Sequence, residues 1–381
     1  MKALAVLGAG LAVVFLWIHY RYRYLWAGIR KVYLKGHVTS FIEDASQHPH
    51  RPLPAEHPLP WPEAKGQQPP SADAEVEALH RRFHTVAFLV FKDGRLIHED
   101  YREGFDARSL SNGFSMTKSV VMLLAAKAVE EGYIPSLDEP LRTYLPGIRG
   151  PYAGQVTLRH LAMMAGGTNW DESYYNPFGL TARSYFTRDL EKMMLRHVRF
   201  VRPPGRHWQY ASGDTQFLGL AVQEAVGRPL TEYLHEKFWL PLGMERDGFW
   251  SLDRPGGNEK AFCCLHATAR DFARFTALML NGGQWNGRRL IDRQWVEQMT
   301  RPAMEGVPYY GLHWWLFSHK GWRGYTMRGH LGQYVMAVPS EKVIIVRLGR
   351  GKPPNEPGTF AYDFYAYLER GMQIAAQKGQ P

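Results

Sequence analysis

Ser115-Met116-Thr117-Lys118 sets a hydroxyl and an amine three residues apart. In a helix, positions i and i+3 share a face, so the two side chains meet. A serine at a helix start lies at the positive end of the dipole, which favours developing negative charge. The lysine one turn on can take the hydroxyl proton if desolvation lowers its pKa. A serine cap followed by an exposed lysine has the same spacing. Tyr210-Ala211-Ser212 is a second candidate. A phenol beside a cationic lysine is expected to have a lowered pKa, to act as general base, and to return the proton to a leaving group. A core tyrosine with a locally satisfied hydroxyl competes with that reading. Gly329-His330-Leu331-Gly332-Gln333 is the third. Its glycines let a substrate approach the backbone closely, and the Gln333 N–H paired with that of Ser115 would form an oxyanion hole. A plain strand-turn glycine pair with a core histidine fits the same residues. Tyr174-Tyr175-Asn176 and His319-Lys320-Gly321 are rival matches. The first lies in a loop with no helix after it, and the second reads as a hairpin turn.

The elements that must position these groups follow from periodicity and punctuation. Thr85–Phe91 and Leu96–Tyr101 are β-prone and flank the hairpin signal Asp93-Gly94. The spacing of Val120, Val121, Leu123, Leu124 and Ala128 predicts a helix from Ser115 to Glu131, ended by Gly132. Thr157–Ala165, Asp214–Val226 and Thr268–Leu280 read as further helices, the last capped by Thr268. Tyr310–Phe317, Gln333–Val338 and Val343–Leu348 read as strands, and Thr359–Ala376 as a closing amphipathic helix. Strands at both ends with helices between predict an α+β fold. Its antiparallel sheet is flanked by helices and carries a mostly helical insertion.

The 381 residues carry a formal charge of +10. The basic residues are scattered, and no zinc spacing, helix-turn-helix or basic–aromatic run points to nucleic acid. The two cysteines, Cys263 and Cys264, are adjacent. Neighbours rarely bond because the ring is strained, so a buried, unbonded pair is expected. Ala3–Ile18 is an apolar run followed by Tyr20, Tyr22, Tyr24 and Trp26. Residues 1–26 therefore read as an uncleaved signal-anchor attached to a membrane, with a cleaved signal peptide as competitor. Arg21, Arg23, Arg30, Lys31 and Lys35 follow it, and positive-inside counting would leave the body in the cytoplasm. Residues 27–72, basic and then rich in proline, read as an extended linker, and residues 73–378 as the catalytic domain.

Taken in order, the three motifs resemble the serine β-lactamase and penicillin-binding superfamily. Phe88-Leu89-Val90-Phe91-Lys92-Asp93-Gly94, Leu158-Arg159-His160-Leu161, Pro241-Leu242-Gly243-Met244 and Ala269-Arg270-Asp271 extend the likeness over residues 84–350. The resemblance implies a serine β-lactamase/transpeptidase-like fold and a serine hydrolase with no metal or organic cofactor. Its acyl-enzyme would form on Ser115, activated by Lys118 and Tyr210. It also implies a periplasmic or extracytoplasmic domain, against the charge count. Within the superfamily the chain looks most like class C-type esterases and 6-aminohexanoate-dimer hydrolases. Trp170-Asp171-Glu172-Ser173-Tyr174 resembles the segment where the oligomer hydrolases carry a substrate-facing tyrosine, which makes Tyr174 a candidate leaving-group contact. Two departures matter. Ser212 stands where many members have asparagine, and His330 where β-lactam-cleaving members have lysine. A mostly neutral imidazole is a poor partner for a carboxylate, so a small neutral ester or amide is the expected substrate. A D,D-peptidase or weak β-lactamase is the alternative enzyme. A membrane-tethered ligand-sensing protein with little turnover is the alternative of another class. The sequence leaves the oligomeric state open.

Overall fold

The computed structural model describes residues 19–63, 73–354 and 360–377, with residues 10, 13, 14 and 16. Its main sheet has six strands: β2 (Thr85–Lys92), β3 (Arg95–Tyr101), β9 (Trp315–His319), β10 (Trp322–Gly329), β11 (Gln333–Val338) and β12 (Val343–Gly349). Their order is β3-β2-β12-β11-β10-β9, with every neighbouring pair antiparallel. A smaller sheet, ordered β1-β5-β6-β4, joins β1 (His50–Leu53), β4 (Ser111–Asn112), β5 (Gly248–Ser251) and β6 (Leu265–Ala267). A small hairpin pairs β7 (Gln284–Trp285) with β8 (Arg288–Arg289). The principal helices are α1 (Arg23–Lys31), α2 (Ala74–Arg82), α3 (Thr117–Glu130), α4 (Leu180–Phe186), α5 (Ser212–Val226), α6 (Ala269–Leu280) and α7 (Tyr362–Gln377).

Period-two alternation divides the core between the two faces of the main sheet. Ala87, Leu89 and Phe91 of β2, with Val335 and Ala337 of β11, join the larger core, which includes α3, α5 and α6. Phe88, Val90, Tyr334 and Met336 face the other way, toward α2 and α7. The expected antiparallel sheet with flanking helices and a helical insertion is therefore present. The Asp93-Gly94 turn joins β2 to β3, and His319-Lys320-Gly321 turns β9 into β10. Thr268 caps α6 by accepting from the Asp271 N–H at 3.1 Å. The strand expected over Tyr310–Phe317 begins only at Trp315, and β10, which contains two arginines and two glycines, was not foreseen.

Two sequence expectations change. Residues 42–63 are not a linker. β1 adds to the edge of β5, pairing His50 with Ser251 and Leu53 with Gly248. The Asn112 N–H donates to the Ile42 carbonyl at 3.0 Å, and the Leu96 N–H to the Pro62 carbonyl at 2.9 Å. Trp61 is buried, and its indole N–H donates to the Arg270 carbonyl at 3.0 Å. A proline-rich chain cannot build a core alone, but it suits an edge, where a missing N–H can face away from the ladder. Most of the apolar run at residues 3–18, and residues 64–72, lie outside the described residues. Among the described residues no helix is long and apolar enough to cross a membrane. The second change is at Cys263 and Cys264, which are buried as expected but bonded to each other. Cys264 takes a left-handed backbone conformation (φ 75°), so the chain turns between the two residues.

Trp61→Ala should lower stability in urea denaturation by about 3–5 kcal/mol, the cost of emptying a buried aromatic site. A loss below about 1 kcal/mol would show that this segment is only loosely attached.

Candidate active site

Ser115 sits in a single 3₁₀ turn, Phe114–Met116, that runs into α3. Phe114 has φ 45°, a left-handed conformation costly for a residue with a side chain. Local hydrogen bonds hold it there. The Phe114 N–H donates to Asn112 Oδ1 at 2.8 Å, and Asn112 Nδ2 donates to Asp44 Oδ1 at 2.9 Å. Asp44 also accepts from the Tyr185 hydroxyl. Asp44 belongs to the segment read from sequence as a linker, and here it braces the turn that presents Ser115.

Lys118 is buried, and its Nζ lies 2.8 Å from both Ser115 Oγ and the Phe262 carbonyl. Burial brings the ammonium down to about 8, with the Glu172 carboxylate pulling the other way. Tyr210 lies beside Ser115, which pulls its phenol down, and its ring centroid is 5.1 Å from Lys118 Nζ. Its pKa departs from the sequence expectation. Burial, reinforced by Glu172, raises the phenol above its ordinary value, so Tyr210 is neutral at physiological pH. Lys118 is the group poised between its two forms. Buried His313 ties the two helices together: Ser119 of α3 donates to its carbonyl at 2.7 Å, and Thr215 Oγ1 of α5 lies 3.0 Å from its Nε2.

Glu172 is the residue that motif reading left without a role, although it lies in the segment around Tyr174. It accepts from the Ser212 N–H at 2.7 Å, the Ser212 hydroxyl at 2.6 Å and the Tyr174 hydroxyl at 2.9 Å. A carboxylate at the α5 N-terminus satisfies donors that the helix cannot. It also engages the Ser212 hydroxyl. The Tyr174 ring stacks on His330 at 4.7 Å between centroids.

The third motif divides. Gly329 and His330 border the site, and a Cβ on Gly329 would lie 2.4 Å from the Gly113 carbonyl, so only glycine allows β10 this close to the turn that carries Ser115. β10 pairs with β9 only as far as Thr326, and its end runs on past Ser115. Gly332 and Gln333 line neither cavity at Ser115. The Gln333 amide donates to the Gly349 carbonyl at 2.6 Å and the His330 carbonyl at 3.0 Å. Buried Arg347 donates to the carbonyls of Leu331 (3.0 Å), Gly332 (2.8 Å) and Phe83 (2.8 Å). The Gln333 side chain and the Gly332 carbonyl are thus engaged in holding the turn after β10. Burial, with Lys352 nearby, brings His330 down to about 4, so its imidazole is neutral.

Two cavities meet at Ser115, Tyr174 and His330. One, of about 330 Å³, is walled mainly by carbon, including Leu25, Ile29, Phe178 and Ala182. The other, of about 950 Å³, carries Glu172, Trp208, Tyr210, Trp315, Arg328 and Lys352. Arg328 lies over Trp315, 4.8 Å from the ring centroid. Among the described residues no cluster of histidine, cysteine, aspartate or glutamate could hold a metal ion.

An antiparallel sheet whose edge passes a serine–lysine helix start, with a helical insertion opposite, is the architecture of the β-lactamase/transpeptidase fold. The Beta-lactamase family model matches residues 71–369, and the chain belongs to that family. Among curated proteins it is similar to the 6-aminohexanoate-dimer hydrolase of Paenarthrobacter ureafaciens, 27% identical over 71% of this chain and 74% of that protein. It is also similar to Esterase EstB of Burkholderia gladioli, 29% identical over 46% of this chain and 45% of that one. Among solved structures, one from Bacillus anthracis, provisionally assigned as a 6-aminohexanoate-dimer hydrolase, superposes with a TM-score of 0.69. It is 20% identical over 87% of this chain and 91% of that one. These relatives carry the names of amide- and ester-cleaving hydrolases.

If Lys118 must be neutral to accept a proton, kcat/KM should rise with pH through about 8 and level off above it. Glu172→Gln removes the carboxylate that holds the lysine up, so the inflection should move to lower pH. An unmoved inflection in the pH–rate profile would uncouple Glu172 from the base.

Proposed function

We propose that this protein is a serine hydrolase that cleaves esters or amides through an acyl-enzyme on Ser115. The observation that carries the reading is the buried Lys118 amine, 2.8 Å from Ser115 Oγ and near the midpoint of its titration at neutral to mildly basic pH. Neutral Lys118 takes the Ser115 proton as Oγ attacks the carbonyl carbon. The resulting oxyanion is held by backbone N–H groups. One is that of Ser115. The His330 N–H is a better second donor than that of Gln333, because the end of β10 borders the cleft and Gln333 does not. As the tetrahedral intermediate collapses, the neutral Tyr210 phenol gives its proton to the departing oxygen or nitrogen. Lys118 returns a proton to Tyr210. Water then attacks the acyl-enzyme, losing its proton to the same pair and releasing the acid and free Ser115.

Neutral His330 gives the site no permanent cation at the third motif, and Glu172 adds a negative charge, which favours an uncharged acyl group. Arg328 and Lys352 border the polar cleft and favour a second reading, a peptidase whose leaving group bears a carboxylate. With the acyl group fixed, substrates with neutral and anionic leaving groups separate the two readings. An anionic preference on the order of ten- to a hundredfold, abolished by Arg328→Ala, selects the peptidase.

A fluorophosphonate probe should label Ser115 and leave Ser115→Ala unlabelled, with steady turnover of p-nitrophenyl acetate. A single burst without turnover would instead mark a sensor. Lys118→Ala and Tyr210→Phe should each lower kcat by about a hundredfold or more. Combined, they should cost far less than the product of the two, because they act as one unit. Near-full activity in Tyr210→Phe alongside loss in Tyr174→Phe would show that the tyrosine is misassigned.

A further inference from the structure

The apolar cavity of about 330 Å³ has one wall from the catalytic body and the other from the N-terminal segment. Leu25, Ile29 and Val38 come from α1 and the chain just after it, and Phe178, Ala182 and Phe186 face them from α4 and the loop before it. The cavity starts at Ser115. Tyr210, the leaving-group acid of the proposed mechanism, lines only the polar cleft. A leaving group protonated by Tyr210 must therefore depart through the polar cleft, and the acyl half of the scissile bond must point the other way.

We propose that this cavity is an acyl-chain subsite, and that the protein acts on esters or amides of aliphatic acids whose chain lies between α1 and α4. The proposal rests on the serine-hydrolase reading and adds the substrate class. The volume has room for on the order of ten water-sized groups, enough for a medium-length chain. Ile29, Val38 and Phe178 line it and are 38%, 67% and 62% exposed, so apolar surface continues to the cavity mouth. Open apolar surface continuous with a cavity is typical of a ligand-binding groove. The N-terminal segment then contributes to substrate selection as well as stability.

The test uses the full chain and p-nitrophenyl acetate, butyrate, hexanoate and octanoate, each below its micelle-forming concentration. kcat/KM should rise on the order of threefold to fourfold for each methylene buried. Ala182→Phe fills the cavity and should lower the octanoate-to-acetate ratio at least tenfold. Val38→Glu, at an exposed position that tolerates folding, should lower the same ratio by putting a carboxylate at the mouth. A flat or falling series with Ser115 still labelled and turning over would overturn the acyl-chain subsite and leave the hydrolase reading standing. A rising series unchanged in both variants would overturn it too, by placing the chain elsewhere. If no ester is turned over and Ser115 takes no fluorophosphonate, the hydrolase reading fails and this proposal falls with it. A parallel arm with phosphatidylcholine vesicles distinguishes the source of the chain. Fatty acid released from vesicles supports a bilayer lipid, and turnover confined to monomeric esters supports a soluble one.

Discussion

The structure depends on holding one amine, that of Lys118, out of water. A buried ammonium is costly unless it is paired, and burial shifts such a group toward its neutral form. Among the described residues, Lys118 has two neutral oxygen partners, Ser115 Oγ and the Phe262 carbonyl, each at 2.8 Å, and no carboxylate in direct contact. A carboxylate partner would have held it in its charged form. Glu172 acts on it from farther away, while bonding directly to Ser212 and Tyr174.

Keeping that arrangement requires fixing the parts around it. Asp44 and Asn112 hold the left-handed turn at Phe114. His313 spans α3 and α5, so Lys118 and Tyr210 keep their relation through two helices rather than through contact alone. On the opposite side, Arg347 and Gln333 bind the carbonyls of the turn after β10 and fix the sheet edge against Ser115. These residues touch neither cavity at Ser115 and act through backbone position. Such support is what a preorganised site needs, since small displacements weaken catalysis steeply.

The N-terminal segment changes character in this light. It supplies an edge strand, a buried tryptophan, the carboxylate behind the Ser115 turn and one wall of the apolar cavity. An extended, proline-rich chain suits this use: it forms little structure alone but can be bound in place by a body that is already folded.

The sequence alone determined what local rules govern. The i, i+3 spacing of Ser115 and Lys118, the Asp93-Gly94 hairpin, the Thr268 cap and the apolar β-prone runs of β2 and β12 depend on residues a few positions apart, and all were legible. The motif order also identified the family. Only the tertiary structure decided the rest, because each point depends on groups far apart in the chain. It brought Asp44 to Asn112 and Glu172 to Ser212. It turned the Gln333 side chain into the turn and left Gly329 and His330 at the cleft. It joined Cys263 to Cys264 through a backbone turn that composition does not encode. It also reversed the expectation for Tyr210: a phenol near a lysine is lowered only while that lysine is charged, and burial here penalises the charged form of both.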